Sequence, residues 1–120
     1  MPTINSVEFG KIVIDNKQYN QVLIIGEEVK ERDYNKLEKL FGTSHIIGDW
    51  EIKSLLESDP EIIVIATGWD GVLKVKEEAI KAFKDKGIEV ICAITPEAVK
   101  TYNEKKKEGK RVNALIHTTC

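Results

Sequence analysis

Thr67-Gly68-Trp69-Asp70-Gly71 brings a hydroxyl, a carboxylate, a flat apolar ring and two glycines into five consecutive residues. Glycines that can take positive φ let a ligand approach the backbone, and the polar side chains could orient it. The same composition also makes a tight turn with Trp69 as a lid on the core, and both readings stand. Thr95-Pro96-Glu97 is the second candidate. A helix amino terminus here would offer free N–H groups and partial positive charge to a carboxylate or phosphate, although Pro96 removes one donor and Thr95 could simply cap. Tyr102 and Asn103 follow on the same helix, and Arg111 comes after it, where its planar fork could clamp an anion or form a surface ion pair.

His45 and His117 are the only histidines, and Cys120 is the last residue. Their spacing fits neither a zinc site nor a Cys-His nucleophile. There is no P-loop, no Gly-x-Ser-x-Gly elbow and no pair of acids at a catalytic spacing, and Gly-x-x-Gly is too common to count as a dinucleotide fingerprint. The sequence calls for no cofactor and no metal.

These residues must be positioned by strands and helices. Ile62, Ile63, Val64 and Ile65 form an unbroken β-branched run without alternation, which predicts a central strand covered on both faces. Ligands collect beyond the carboxyl ends of such strands, which places Thr67 to Gly71 where a site is expected. Upstream, Ile4 to Ile25 reads as β throughout, an antiparallel hairpin or meander turning at Asp15-Asn16-Lys17. The charged segment Glu27 to Phe41 suggests an extended piece at Val29 to Arg32 and a helical turn at Leu37 to Phe41. Asp49 to Ser58 carries Trp50, Ile52, Leu55 and Leu56 as the stripe of a short helix capped by Asp49, and Asp59-Pro60 ends it.

Downstream, Val72 to Val75 reads as a brief extended segment, and Lys76 to Lys86 as an amphipathic helix closed by Gly87. Ile88 to Ile94 is the next strand, with Cys92 read as a small buried hydrophobe. A helix from Thr95 to about Glu108 and a last strand from Val112 to His117 complete the chain. The alternation from Ile62 onward predicts right-handed crossovers and mostly parallel pairing. The expected fold is α/β: a three-layer single domain over residues 1–120, with a mixed, mostly parallel central sheet, helices and an amino-terminal antiparallel β layer.

A chain of 120 residues fits one domain and one core. Eighteen Lys plus Arg against 20 Asp plus Glu, widely interspersed, argue against a general polyanion binder. The one basic excess, Lys100 to Arg111, is diluted by Glu104 and Glu108 and reads as a solvated helix face rather than a nucleic-acid surface. No stretch approaches the roughly 20 apolar residues that span a bilayer, and no amino-terminal targeting pattern is present. A cytoplasmic protein without a disulfide framework is expected. Heavy use of Lys, Glu and Ile leans towards a thermophile.

Four pieces of the chain together resemble a known family. They are Gly42-Thr43-Ser44-His45, Ala66-Thr67-Gly68 with Gly71 and Leu73, Thr95-x-x-Ala98-x-x-x-Tyr102-Asn103, and Gly109-x-Arg111-Val112-x-Ala114-Leu115-Ile116-His117-x-Thr119-Cys120. The chain resembles, over Ile4 to Cys120, the small uncharacterised α/β domain family that includes the mitochondrial complex I assembly factor three and the adipogenesis-associated domain protein. The resemblance implies a three-layer fold and a pocket lined from the Thr67-Gly68 loop, the Thr95 to Asn103 helix and Arg111. It implies no reaction. Ala66 stands where relatives often have glycine, and the bulk of Trp69 would reshape any such pocket. The expectation is an accessory or binding protein, without catalysis, whose partner is a small anionic molecule or another protein. The rivals are an enzyme on a small anionic metabolite, with Tyr102 or His45 moving protons, and an interaction module using the edge of the amino-terminal β layer.

Overall fold

The computed structural model describes residues 2–120. Strands β1 (Ile4–Glu8), β2 (Lys11–Ile14) and β3 (Lys17–Tyr19) form an antiparallel sheet in that order. The second turn is made where the sequence places it, with Asp15 and Asn16 both at positive φ. The β pattern does not stay in one layer, however. After Tyr19 the chain leaves this sheet, and β4 (Val22–Ile25) joins the central one.

The central sheet contains β4, β5 (Glu28–Glu31), β6 (Ile62–Thr67), β7 (Glu89–Ala93) and β8 (Val112–His117), in the order β5-β4-β8-β6-β7. It is mixed: β6 runs parallel to β7 and β8, whereas β4 runs antiparallel to β5 and β8. Both faces of β6 are covered, as its unbroken apolar run requires. Ile62, Val64 and Ala66 pack into one core with Ile4, Ile12, Ile14, Val99 and Tyr102, beneath the small sheet and helix α4 (Thr95–Lys107). Ile63 and Ile65 face the other way, against Leu55, Ala79 and Phe83 of α2 (Asp49–Leu55) and α3 (Glu77–Asp85). Fully burying each such isoleucine contributes about 1.5–3 kcal/mol.

Asn113 is the one buried polar side chain of β8 apart from His117, and it is there to serve backbone. Its Nδ2 donates to the carbonyls of Leu55 and Glu57 at 2.8 and 2.7 Å, and its Oδ1 accepts from Gly26 N. It thus satisfies carbonyls that the end of α2 leaves open.

Several local expectations are corrected. The helical turn at Leu37 to Phe41 is a full helix, α1 (Tyr34–Phe41), because Asp33 accepts from Lys36 N and caps it a turn earlier. Helix α2 begins after Gly48, whose N–H donates to the Glu51 carboxylate, so Asp49 is its first residue rather than its cap. Val72 to Val75 forms only a single bridge, Lys74 to Ile46. Cys92 is exposed, because β7 is an edge strand.

Candidate functional site

The carboxyl ends of the parallel strands bring Thr67, Gly68, Thr95 and His117 together. The register pairs Thr67 with His117. Thr95 N donates to Gly68 O at 3.1 Å, and Gly68 N donates back to Thr95 Oγ1 at 3.0 Å. Thr95 is the first helical residue after Ile94, not the cap, and its hydroxyl donates to the carbonyl of His117. One threonine side chain therefore ties a loop, a helix start and a strand end.

That arrangement leaves little for an anion. Thr67 Oγ1 donates to Ala93 O, Trp69 N to Thr119 O, Asp70 N and Val72 N to Cys120 O, and Gly71 N to Gly68 O. Every backbone N–H from Gly68 to Val72 is thus engaged within the fold, and a donor already satisfied offers no cradle. Gly68 is at φ 104°, and a Cβ there would lie 2.2 Å from the backbone carbon of Cys120. The glycine is required by the close approach of the tail Thr118–Cys120. Trp69 is partly buried, and its Nε1 is buried without a hydrogen-bond partner.

The remaining predicted residues lie elsewhere. Tyr102 is fully buried and donates to the Pro2 carbonyl at 2.7 Å, and burial pushes its hydroxyl well above the usual range. Asn103 holds both backbone groups of Ile4, accepting from its N at 3.2 Å and donating to its O at 2.9 Å. Both residues clamp β1 onto α4. Arg111 immediately precedes β8, whereas Thr67 pairs with the last residue of that strand. Six residue steps along the strand separate the two levels by roughly 20 Å, so the expected pocket shared by Thr67 and Arg111 does not form. Arg111 instead donates through Nε to Asp59 O at 2.7 Å and lies 3.5 Å from the Asp59 carboxylate. Its backbone N–H also donates to Glu61, which holds that carboxyl below its usual range.

Sequence reading missed a buried polar cluster beside this end of the sheet. Arg32 and Glu51 form an ion pair with both side chains fully buried, two N–H···O contacts at 2.7 and 2.8 Å. Arg32 also donates to Ser44 O, Ile46 O and Gln21 Oε1. All five of its N–H groups are therefore used. Gln21 Oε1 also faces His117 Nδ1 at 2.7 Å, and its Nε2 donates to the Tyr34 hydroxyl. The half-buried His45 meets the buried His117 edge-on, with ring centroids 5.2 Å apart. The only sequence signal was a Gln directly before one apolar strand and a His as the last residue of another.

Because Gln21 Oε1 is an acceptor, His117 Nδ1 carries the proton and Nε2 is free to accept from Thr119 Oγ1, 3.3 Å away. A hydroxyl, an imidazole and an orienting group in line is the geometry of an activated nucleophile. The electrostatics oppose that use. Burial, the Arg32 charge and His45 lower the His117 pKa to about 4, and an imidazolium formed here would face Arg32 with only a neutral amide behind it. The contact holds Thr119 of the tail beside His117.

Two surface features remain. Helix α1 buries Leu37 completely but leaves Leu40 59%, Phe41 39% and Tyr34 38% exposed. Phe41 stacks on Trp50 at 6.1 Å with the rings 11° from parallel, and Lys36 lies over the other ring at 4.3 Å. Gly48 makes room for Trp50, since a Cβ there would sit 2.6 Å from its ring. Thr3, Lys100, Asn103, Glu104, Lys106 and Lys107 line a cleft of about 350 Å³ along α4. Among the described residues no group of His, Cys, Asp and Glu is arranged to hold a metal, and no helix is long and apolar enough to cross a membrane.

A family model described as a protein of unknown function (DUF498/DUF598) matches residues 4–117. A crystal structure of a conserved hypothetical protein from Pyrococcus horikoshii OT3 is similar at 32% identity and TM-score 0.84, covering 98% of this chain and 99% of that one. A protein named MT938 is 28% identical over the whole of both chains, with a TM-score of 0.79. A protein from Bartonella henselae, described as an outer membrane protein, is 21% identical with a TM-score of 0.80, covering 99% of this chain and 96% of its own; that likeness shows the fold alone. The family agrees with the resemblance read from the motifs, and the Pyrococcus relative agrees with the thermophile-like composition.

Proposed function

The chain belongs to this family of proteins of unknown function, and from that premise we propose that it is a non-catalytic accessory protein that binds another protein through helix α1. One observation carries the reading. A helix of eight residues buries one leucine and turns Tyr34, Leu40 and Phe41 outward, with Phe41 stacked on Trp50. Large apolar side chains grouped on a short helix, with a lysine at the margin, are what an interface core looks like before its partner arrives. Helix α1 is tied to the Arg32–Glu51 cluster through the Tyr34 hydroxyl, which accepts from Gln21 Nε2, and anchoring of this kind lowers the entropy lost on binding. Two free cysteines fit a reducing compartment, and the cytosol is the proposed location.

The test is quantitative capture of proteins from a cytosolic extract by the wild-type chain and by Leu40→Asp and Phe41→Asp variants that keep the wild-type unfolding midpoint. The reading expects a stoichiometric partner with wild type and its loss with either variant. Equal retention by all three overturns it.

A second reading, a small-anion binder, is favoured by Lys100, Lys106 and Lys107 around the cleft on α4. It expects a thermal shift with anionic metabolites that Lys100→Ala and Lys107→Ala abolish.

A further inference from the structure

The two sheets end in strands that are protected unequally. Sheets guard their edges with charge, proline, bulges or shortness, because an open row of N–H and C=O groups templates another strand. Strand β5 is guarded by Glu28, Lys30 and Glu31, three of its four residues. In the small sheet, β1 carries an irregularity between Ile4 and Ser6, and β3 is only three residues long. Strand β7 has none of these devices. After Glu89 it reads Val90-Ile91-Cys92-Ala93, without charge or proline, and its register with β6 is unbroken from Glu89 to Ala93. Its outer edge has no ladder partner in the strand order. Cys92 is exposed, and Ile94, which follows the strand in extended conformation as the N-cap of α4, is 41% exposed.

We infer that β7 is the interface with a second copy of this chain, the two β7 strands pairing antiparallel about a twofold axis at Cys92 to join two five-stranded sheets into one. Pairing of a strand with its own copy about a twofold axis is necessarily antiparallel and closes after two chains. Centred on Cys92, it sets Val90 opposite Ile94 of the second copy, Ile91 opposite Ala93, and Cys92 opposite Cys92. Side chains alternate along a strand, so Val90, Cys92 and Ile94 form one continuous apolar strip that is its own complement. Cys92 and Ile94, the exposed apolar residues of this edge, are the ones that the pairing covers. Glu89 falls outside the paired stretch, level with Thr95 of the second copy, so no like charges oppose each other. That internal symmetry favours a second copy over a foreign strand. The inference does not rest on the role proposed for α1, which lies on another part of the surface.

The pairing brings the two Cys92 Cα atoms about 4.5–5.5 Å apart, within reach of a short bis-maleimide. The experiment measures the mass of the full chain by sedimentation velocity from low to high micromolar concentration, then cross-links a Cys120→Ser chain. A mass of two chains, efficient covalent dimerisation through Cys92, and a return to one chain in Ile94→Lys are expected. The wild-type mass needs no variant to fold. A single-chain mass at every concentration overturns the inference, and leaves the edge to a foreign strand. So does a dimer that fails to cross-link at Cys92 or that survives Ile94→Lys unchanged.

Discussion

Arg32 fixes the tautomer of His117 without touching it. Gln21 lies between them, its Oε1 2.9 Å from Arg32 Nη1 and 2.7 Å from His117 Nδ1. The guanidinium can only donate, so it holds the amide oxygen inward. His117 must then donate from Nδ1 and present a lone pair at Nε2. The carboxyl end of the sheet is thereby set by a residue of the Arg32–Glu51 pair rather than by the loop that looks most like a site.

His117 gives the fold a defined pH dependence. Its pKa falls from 6.5 to about 4 in the folded chain, through burial first and then the Arg32 and His45 charges. Between those values the unfolded chain binds more protons, so stability is full above about pH 6.5 and is lost as pH falls through 4. The loss should approach about 3 kcal/mol. Urea unfolding at a series of pH values checks this, and His117→Gln should flatten the slope between pH 6.5 and 4.

Breaking the Arg32–Glu51 pair from one side should be severe. Glu51→Gln leaves a buried guanidinium uncompensated and should cost about 3–5 kcal/mol. Arg32→Lys should also destabilise, because an ammonium cannot fill the five donor positions used here. Denaturant midpoints at neutral pH measure both.

Glycines at positive φ should separate into two classes. Gly68→Ala meets the Cys120 backbone as well as backbone strain, and should cost more than about 3 kcal/mol or prevent folding. Gly109→Ala, at φ 80° with open space around it, should cost only about 1–2 kcal/mol. Thermal unfolding of the two variants side by side gives the contrast.

Arg111→Ala should be mild. The side chain is 56% exposed and its partners are Asp59 and Glu61, so stability should stay within about 1 kcal/mol of wild type. Any shift of the melting temperature by anionic metabolites should be the same in both proteins. A shift lost only in Arg111→Ala would restore the anion site that the register separates from Thr67.

The central strand, the two long crossover helices and the last strand were legible because each has an unambiguous period or a run of β-branched residues. Ile62 to Ile65 has no alternation, and both its faces are covered. The change of sheet after Tyr19 was not legible, since β3 and β4 look alike in sequence and only their partners differ. The proximity of Thr67, Gly68 and Thr95 was readable from strand order. That their donors would be consumed by the tail was not, because Thr119 and Cys120 carry no signal of where their carbonyls point. Arg111 was grouped with them by motif, and strand direction separates it. The apolar face of α1 was hidden by charge, with Lys36, Glu38 and Lys39 interleaved among Tyr34, Leu37, Leu40 and Phe41.

Capture from extract by wild type against the Leu40→Asp, Phe41→Asp double variant tests the central claim most directly. The account predicts one stoichiometric protein partner, distinct from the chain itself, that the double variant loses while keeping its fold. A partner retained undiminished by the double variant would contradict it.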